Sequence, residues 1–262
     1  MLNKLLFFLS VLAVLLVIFC GPVFARTITI STGNYVPWTG KDLEKGGPYL
    51  QVVREVFNRA GYAVKFKFYP WKRALIMSRE GKFDASAYWA TSEKRREDFY
   101  QSEPLAWDRV VFFYRKEKPL KDWDGFKDLK EYRIGVTRGY TYTDEFWKQT
   151  EKRNLNFDKA NNDLSNFRKL IRGRIDLFPC EKIRGYTLLD KHFSEEIAAR
   201  VSHCQKSLTI TSCHLIFPKA LEGSSELLKK FNEQLKALKE EGDYDSYWEN
   251  INGGKDGMLK AF

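Results

Sequence analysis

Apolar and polar positions in residues 27–88 follow two alternating periods. Ile28 and Ile30 alternate with threonines, which is typical of a strand, whereas Leu50, Val53 and Phe57 recur at helical spacing. Residues 64–68 alternate again, residues 71–77 have helical spacing, and residues 83–88 form a short apolar run. This order of strand, helix, strand, helix, strand favours parallel strands joined by right-handed crossovers.

The same order recurs in the second half of the chain. Strands are predicted at residues 109–115, 134–136, 155–157 and 175–179, and helices at residues 143–151 and 164–171. Two short segments also match, Gly-Lys-Phe-Asp-Ala from Gly81 and Gly-Arg-Ile-Asp-Leu from Gly173. Each ends a helix and opens a strand. We therefore expect two similar α/β lobes rather than one sheet.

The last third of the chain completes this organisation. Residues 215–218 are a predicted strand, and a long helix follows with Leu227, Phe231, Leu235 and Leu238 on one face. We expect one lobe at residues 26–106 plus 216–262 and a second at residues 107–215, joined by two strands near residues 106 and 215. Ligands of open α/β sheets bind at the carboxyl ends of the strands, which predicts a cleft between the lobes.

The first 25 residues differ from the rest. Lys4 is followed by an apolar run at residues 5–20 that only Ser10 interrupts, and the segment closes with small residues at Ala25. This is the layout of a secretory signal with cleavage after Ala25. An uncleaved anchor stays open. Lipid attachment at Cys20 is the weaker alternative, because Phe19 stands where such a site requires a small residue.

Composition and charge narrow the class of protein. Hydrophobic residues make up 44% of the chain and aromatic residues 15%, which supplies a packed core and excludes disorder. The formal net charge is +10, and loss of Lys4 with the leader makes it +9. Lysines and arginines are scattered among acidic residues, and export argues against nucleic acid. A basic surface that favours anionic or zwitterionic ligands is the simpler interpretation.

Three cysteines remain after the leader: Cys180, Cys204 and Cys213. Export makes a disulfide plausible, and we predict the pair Cys204–Cys213, with three buried thiols as the alternative. A metal site is not expected, because His203 and His214 each stand beside a cysteine without Cys-x-x-Cys spacing.

Candidate chemistry concentrates in the run at residues 89–105. Arg95 is predicted to clamp a carboxylate, since a guanidinium offers a rigid fork of donors, and Thr91 and Ser92 can add hydroxyls. The alternative is a solvated basic turn, in which the cations at residues 94–96 are offset by the acids around them.

The residue five positions after each repeated aspartate lies at a strand end. These residues are Trp89 and Glu181. Arg95 and Glu181 at facing mouths suit a zwitterion, with rings of Tyr35, Trp38 and Trp89 around its body. Core packing for the aromatic residues and a surface helix cap for Glu181 are the alternatives. Catalytic motifs such as Gly-x-Ser-x-Gly, Gly-x-Gly-x-x-Gly and His-Glu-x-x-His do not occur.

These segments resemble a known family. The run Ser92-Glu93-Lys94-Arg95, followed by Phe99, Ser102, Glu103 and Pro104, and the run Gly173-Arg174-Ile175-Asp176 with an acid five residues later are similar to motifs of bacterial extracellular solute-binding proteins, family 3. These are the periplasmic receptors of polar amino-acid ABC transporters. The resemblance extends over residues 26–251.

The resemblance implies a two-lobed periplasmic-binding-protein-like (type II) α/β fold, in which each lobe is a mixed, mainly parallel sheet flanked by helices. It implies a non-enzymatic monomer in the periplasm that binds an amino acid or similar zwitterion, without a cofactor, and presents it to an ABC permease. A cyclohexadienyl or arogenate dehydratase-like enzyme on the same fold and a ligand-sensing module for a signalling partner are the alternatives.

The resemblance also implies site residues. Arg95 would hold the α-carboxylate, Glu181 the amine, and Thr141 would correspond to a threonine of the second lobe, with Tyr140 in place of the threonine before it. The family usually has a hydroxyl five residues before the arginine, where this chain has Ala90. Thr91 fits that position only if Arg96 is the clamp, so the choice between Arg95 and Arg96 stays open.

Overall fold

The computed structural model describes residues 26–121, 123–140, 142–151 and 155–249. The strands of this part are β1 (Thr27–Thr32), β2 (Ala63–Phe68), β3 (Ala85–Ala90), β4 (Phe99–Gln101), β5 (Ala106–Arg115), β6 (Arg133–Thr137), β7 (Asn156–Ala160), β8 (Leu177–Glu181) and β9 (Val201–Pro218). Its helices are α1 (Pro48–Arg59), α2 (Trp71–Arg79), α3 (Glu93–Asp98), α4 (Asp144–Glu151), α5 (Asp163–Ile171), α6 (Lys182–His192), α7 (Glu195–Ala198), α8 (Ser224–Glu240) and α9 (Asp243–Glu249), with short 3₁₀ helices at Glu44–Gly46 and Phe126–Leu129. Among the described residues, no helix has the length and apolar character needed to cross a membrane.

The sheet has two halves, and each half is built on parallel strands. Strand β1 pairs in parallel with β2 and β3, and β6 pairs in parallel with β7 and β8. Helices connect the strands within each half, as the alternating periodicity predicts. The two halves therefore repeat one architecture, with β1 and β6 at equivalent central positions.

Strands β5 and β9 join the halves. They pair with each other in antiparallel fashion, while β9 also pairs with β3 and β4, and β5 also pairs with β8. The hydrogen-bonded ladder is thus continuous, which differs from the expectation of two separate sheets. The predicted strand at residues 215–218 is only the end of β9, because the polar residues before it hide its periodicity. Our proposed lobe boundaries fall on these two strands.

The two matching segments have the same role in the two halves. The carboxylate of Asp84 accepts the N–H of Thr29 at 2.7 Å, and the carboxylate of Asp176 accepts the N–H of Arg133 at 2.9 Å. Each aspartate precedes one strand and fixes the beginning of its parallel neighbour. The repeat visible in the sequence is therefore a repeat in hydrogen bonding.

Apolar residues pack separately in the two halves. In the first half, α1 and α8 cover the sheet, and the rings of Phe57 and Phe231 lie 4.9 Å apart. In the second half, Phe112 and Phe146 lie in one buried cluster, and Phe113 packs against Phe167 in another. The cleft between the halves is thus supported by independent cores.

The predicted disulfide between Cys204 and Cys213 is wrong. Both residues lie on β9, and Cys180, Cys204 and Cys213 are free and buried. Nine residues of extended strand span about 30 Å, whereas a disulfide requires Cα atoms roughly 4.4–6.8 Å apart. The alternative of three buried thiols is the one that the structure confirms.

Replacing Asp176 tests its role in fixing β6. Its side chain is 3% exposed, and Lys118 Nζ lies 3.0 Å away. Burial alone would raise its pKa, but the N–H of Arg133 and the ammonium of Lys118 outweigh burial and lower the pKa. We expect Asp176→Asn to lose about 2–3 kcal/mol of unfolding free energy at pH 7, measured by urea denaturation.

The lowered pKa of Asp176 also predicts how the stability difference between the variant and the wild type changes with pH. A lowered folded-state pKa stabilises the protein above the unfolded-state value of about 4, and the contribution is lost as the pH falls below it. The deficit of Asp176→Asn should therefore shrink at pH 3. Asp158→Asn is the matched control, because Asp158 pairs with Lys169 at the surface and its loss should cost under about 1 kcal/mol. Equal losses in both variants would contradict the assigned role.

Candidate ligand-binding site

A small cleft lies where the two halves meet. It encloses about 130 Å³ and is lined by Tyr35, Trp71, Tyr88, Trp89, Ala90, Arg95, Asp108, Gly139 and Tyr140. These residues follow or belong to strands of both halves. The volume is close to that of a protein cavity of about 150 Å³ that holds benzene, so the cleft suits a ligand of similar size.

The backbone of β3 turns two consecutive aromatic residues toward this cleft. Neighbouring strand residues normally face opposite sides of a sheet. Here the pairing register with β9 shifts between Ser86 and Trp89, and Tyr88 has a φ of 66°. A positive φ costs a non-glycine residue on the order of 1–3 kcal/mol. This strain allows Tyr88 and Trp89 to line the cleft together.

A glycine creates the space for a further aromatic wall. A Cβ atom on Gly33 would lie 2.4 Å from Cε2 of Trp71, so a larger residue would displace the indole. Trp71 in turn packs edge-on against Trp89, with ring centroids 5.2 Å apart. The close approach of Trp71 to the backbone after β1 therefore sets one side of the cleft.

Arg95 supplies a partly buried cation to the cleft. Its Nη2 donates to the carbonyl of Ala90, its guanidinium lies 5.4 Å from the ring centroid of Trp89, and its Nε is buried without a hydrogen-bond partner. Burial lowers the pKa of Arg95 below its ordinary value. Within the described ranges, no carboxylate lies within 4 Å of it. Arg95 can thus receive an anionic group.

Arg96 occupies a different environment. It is exposed, and its Nη1 lies 3.1 Å from a carboxylate oxygen of Glu93. It does not line the cleft. Of the two candidate clamps, the structure therefore places Arg95 at the cleft and Arg96 outside it.

Asp108 is the acid of the cleft. It lies on β5, is 9% exposed, and accepts a hydrogen bond from the hydroxyl of Tyr88 at 2.5 Å. Burial raises the pKa of Asp108 to about 6, although Tyr88, Cys213 and the charge of Arg184 oppose the shift. In the part of the chain that the structure describes, no cation forms an ion pair with it.

Glu181 lies at the end of β8 and is buried below the cleft lining. Its carboxylate accepts the N–H groups of Ile183 at 3.0 Å and Arg184 at 2.7 Å, which caps α6, and Nε1 of Trp38 at 3.1 Å. Burial and the neighbouring charge of Asp108 raise the pKa of Glu181 to about 7. A surface helix cap is the alternative role that the sequence leaves open for Glu181. Glu181 does cap α6, but it is buried.

Contacts across the cleft hold the halves together. Nη1 of Arg184 donates to the carbonyl of Val36 at 2.9 Å, and its guanidinium lies 4.3 Å from the ring centroid of Tyr35. Asp163 accepts from Nε of Arg184 at 2.5 Å and from the hydroxyl of Tyr140 at 2.9 Å. Arg184 therefore joins the second half to residues 35–36 of the first half, and Asp163 holds Arg184 in place.

The predicted site residues divide by position. The cleft lining includes Tyr35, Trp89, Arg95 and Tyr140. Trp38 and Glu181 are buried and bonded to each other, Thr91 is exposed, and Ser92 directly precedes α3. None of these four residues lines the cleft. Thr141 lies outside the described residues.

Sequence reasoning missed five lining residues: Trp71, Tyr88, Ala90, Gly139 and Asp108. Tyr88 was hidden because a regular strand would direct it away from Trp89. Asp108 precedes the predicted strand at residues 109–115 by one position, and nothing in its periodicity marks it as buried. Its place between the aromatic Trp107 and a strongly apolar strand is the available signal.

The fold and this charged cleft between two halves are typical of two-lobed solute-binding proteins. The family model for bacterial extracellular solute-binding proteins, family 3, matches residues 28–251. The chain belongs to this family, which confirms the resemblance seen in the sequence.

Individual proteins are similar at low identity. The L-cystine-binding protein TcyA of Bacillus subtilis (strain 168) is 24% identical over 221 residues, which cover 82% of this chain and 77% of TcyA. A histidine kinase sensor domain with similarity to periplasmic binding proteins matches with a TM-score of 0.73 and 19% identity, over 87% of this chain and 97% of that domain. The substrate-binding protein of an amino acid ABC transporter matches with a TM-score of 0.67 and 19% identity, over 87% and 99% of the two chains. The predicted fold class is thereby confirmed.

Asp108 should destabilise the folded protein as the pH rises. Since its folded-state pKa is raised to about 6, stability falls between about pH 4 and pH 6, where the unfolded chain releases this proton first. A shift from 3.8 to about 6 corresponds to about 3 kcal/mol. We expect Asp108→Asn to be more stable than the wild type by about this amount at pH 8 and nearly equal to it at pH 3.

Urea denaturation at the two pH values measures this difference. Asp176→Asn serves as the control, because its effect has the opposite sign at high pH. An Asp108→Asn variant that is less stable than the wild type at pH 8 would show that Asp108 is stabilised as a carboxylate.

Proposed function

We propose that this chain is an extracytoplasmic receptor that captures a small zwitterion, most simply an amino acid, between its two halves. It then delivers this ligand to the membrane permease of an ABC transporter. The observation that carries the proposal is the partly buried guanidinium of Arg95, whose buried Nε has no hydrogen-bond partner, in a cleft of about 130 Å³. Residues 1–25 would act as the export signal.

The charges of the cleft support a zwitterion. A guanidinium binds a carboxylate through parallel hydrogen bonds, each worth about 1.5–3 kcal/mol net. Tyr35, Trp71, Trp89 and Tyr140 would contact the body of the ligand. A few such contacts, less the entropy lost on binding, correspond to roughly micromolar affinity.

The relatives support an amino acid and a transporter. One is named for binding L-cystine and another as the substrate-binding protein of an amino acid ABC transporter. A sensory role is the second candidate, because the histidine kinase sensor domain has a TM-score of 0.73 to this chain. Such a sensor would use the same cleft and differ in its partner.

An enzyme on this scaffold is a weaker candidate. The acid that the resemblance offers, Glu181, lies outside the cleft lining and is bonded to Trp38. Asp108 is the acid that lines the cleft and would have to serve such an enzyme. The family match and the transporter relatives favour a receptor. Release of phenylpyruvate from prephenate would be the result that favours an enzyme.

A thermal-shift panel of the twenty L-amino acids tests the proposed function. A ligand at 100 times its dissociation constant adds about 2.7 kcal/mol, or roughly 5–10 °C for a chain of this size. We expect at least one amino acid to stabilise the wild type and Arg95→Ala to lose this shift, because the variant lacks the carboxylate clamp.

Arg96→Ala is the matched control. It removes the neighbouring cation of the same helix, which faces solvent, and should keep the shift. The proposal fails if no amino acid stabilises the wild type, or if Arg95→Ala responds as the wild type does.

A further inference from the structure

We propose that Asp108 is the acid that binds the ammonium group of the ligand, whereas Glu181 acts as a positioning residue that holds the two halves together. The inference rests on the proposed zwitterionic ligand. It assigns the two acids of the cleft region different tasks, one in recognition and one in closure.

The carboxylate of Glu181 already accepts hydrogen bonds from the protein, which leaves little capacity to bind a ligand. Its two oxygens receive three donors: the N–H groups of Ile183 and Arg184 and the indole N–H of Trp38. A carboxylate has about four acceptor positions, so little capacity remains. Two of the three donors begin α6, in the second half, and Trp38 belongs to the first half. Glu181 thus links the halves.

The neighbouring contacts strengthen this link. Arg184 lies in the first turn of α6. It donates to the carbonyl of Val36, and its guanidinium lies over the ring of Tyr35. Asp163 accepts a hydrogen bond from the same guanidinium. The segment 35–38 of the first half is therefore bound to the beginning of α6 at three points. Removing the carboxylate of Glu181 would loosen that attachment.

Asp108, unlike Glu181, is in a position to contact a ligand. It lines the cleft and receives a hydrogen bond from the Tyr88 hydroxyl, and no described cation lies within ion-pair distance. A buried carboxylate without a cation is costly, and an arriving ammonium would compensate it. The Tyr88 hydroxyl fixes the orientation of the carboxyl group, so it is positioned before the ligand arrives.

The two acids are close neighbours in the sheet. Strand β5 pairs antiparallel with β8, and Val110 stands opposite Glu181. Asp108 is two residues before Val110 and therefore on the same face, a diagonal neighbour of Glu181 at roughly 7–8 Å between Cα atoms. Asp108, which lines the cleft, and Glu181, which does not, are therefore diagonal neighbours on adjacent strands.

Pairs of probes that differ only in the ammonium group test the assignment. We would use L-alanine with propionate, L-valine with 3-methylbutanoate, and L-phenylalanine with 3-phenylpropionate, and measure binding by calorimetry. The wild type should prefer the amino acid in at least one pair. Asp108→Asn should reduce this preference about 10- to 100-fold, the loss expected for one charge-assisted hydrogen bond.

Glu181→Gln is the matched control. It should weaken both members of a pair by the same factor and leave the preference for the amino acid unchanged, because it acts through closure. Trp38→Phe removes the indole donor to Glu181 and should behave in the same way. Asp108→Ser, which removes the charge with a smaller side chain, repeats the recognition test, and urea denaturation of each variant checks its folding.

The outcomes separate the two proposals. If Glu181→Gln loses the preference and Asp108→Asn keeps it, the inference is overturned while the receptor proposal stands. If the wild type binds no member of any pair, or binds every acid as tightly as its amino acid, the zwitterion assignment fails and the inference fails with it.

Discussion

The cleft brings together a partly buried cation, Arg95, and a buried acid, Asp108, and pairs neither of them with an opposite charge among the described residues. Arg95 and Asp108 both lie in low-dielectric surroundings without an ion-pair partner among the described residues. Burying such groups opposes folding, so the surrounding structure must compensate for the cost. A zwitterion would neutralise both charges at once, and the stability that they remove from the free protein would return as binding free energy.

The fold supplies that compensation through rigid elements. The twin aspartates Asp84 and Asp176 fix the central strand of each half, and independent cores support both. Strand β5 brings Asp108 to the junction of the halves, where the hydroxyl of Tyr88 reaches it. The backbone strain at Tyr88 is tolerated because β3 is paired on both sides, with β1 and β9.

Much of this could be predicted from the sequence, because periodicity reports directly on which face of an element is buried. The alternating strands and helices and the repeat around the two aspartates followed from local patterns. The local pattern at residues 91–96 left the choice between Arg95 and Arg96 open. The pairing of Cys204 with Cys213 was mispredicted because one long, partly polar strand looks like two short ones. The positions of Trp38, Glu181 and Asp108 depend on contacts between distant segments, which no local pattern encodes.

The most direct test of the account is a crystal structure of the protein with the amino acid that gives the largest thermal shift. We expect the carboxylate of that ligand at about 2.7–3.2 Å from the guanidinium of Arg95 and its ammonium at hydrogen-bond distance from Asp108. Glu181 should still be bonded to Trp38. An ammonium bound to Glu181, or a ligand outside the aromatic cleft, would contradict the account.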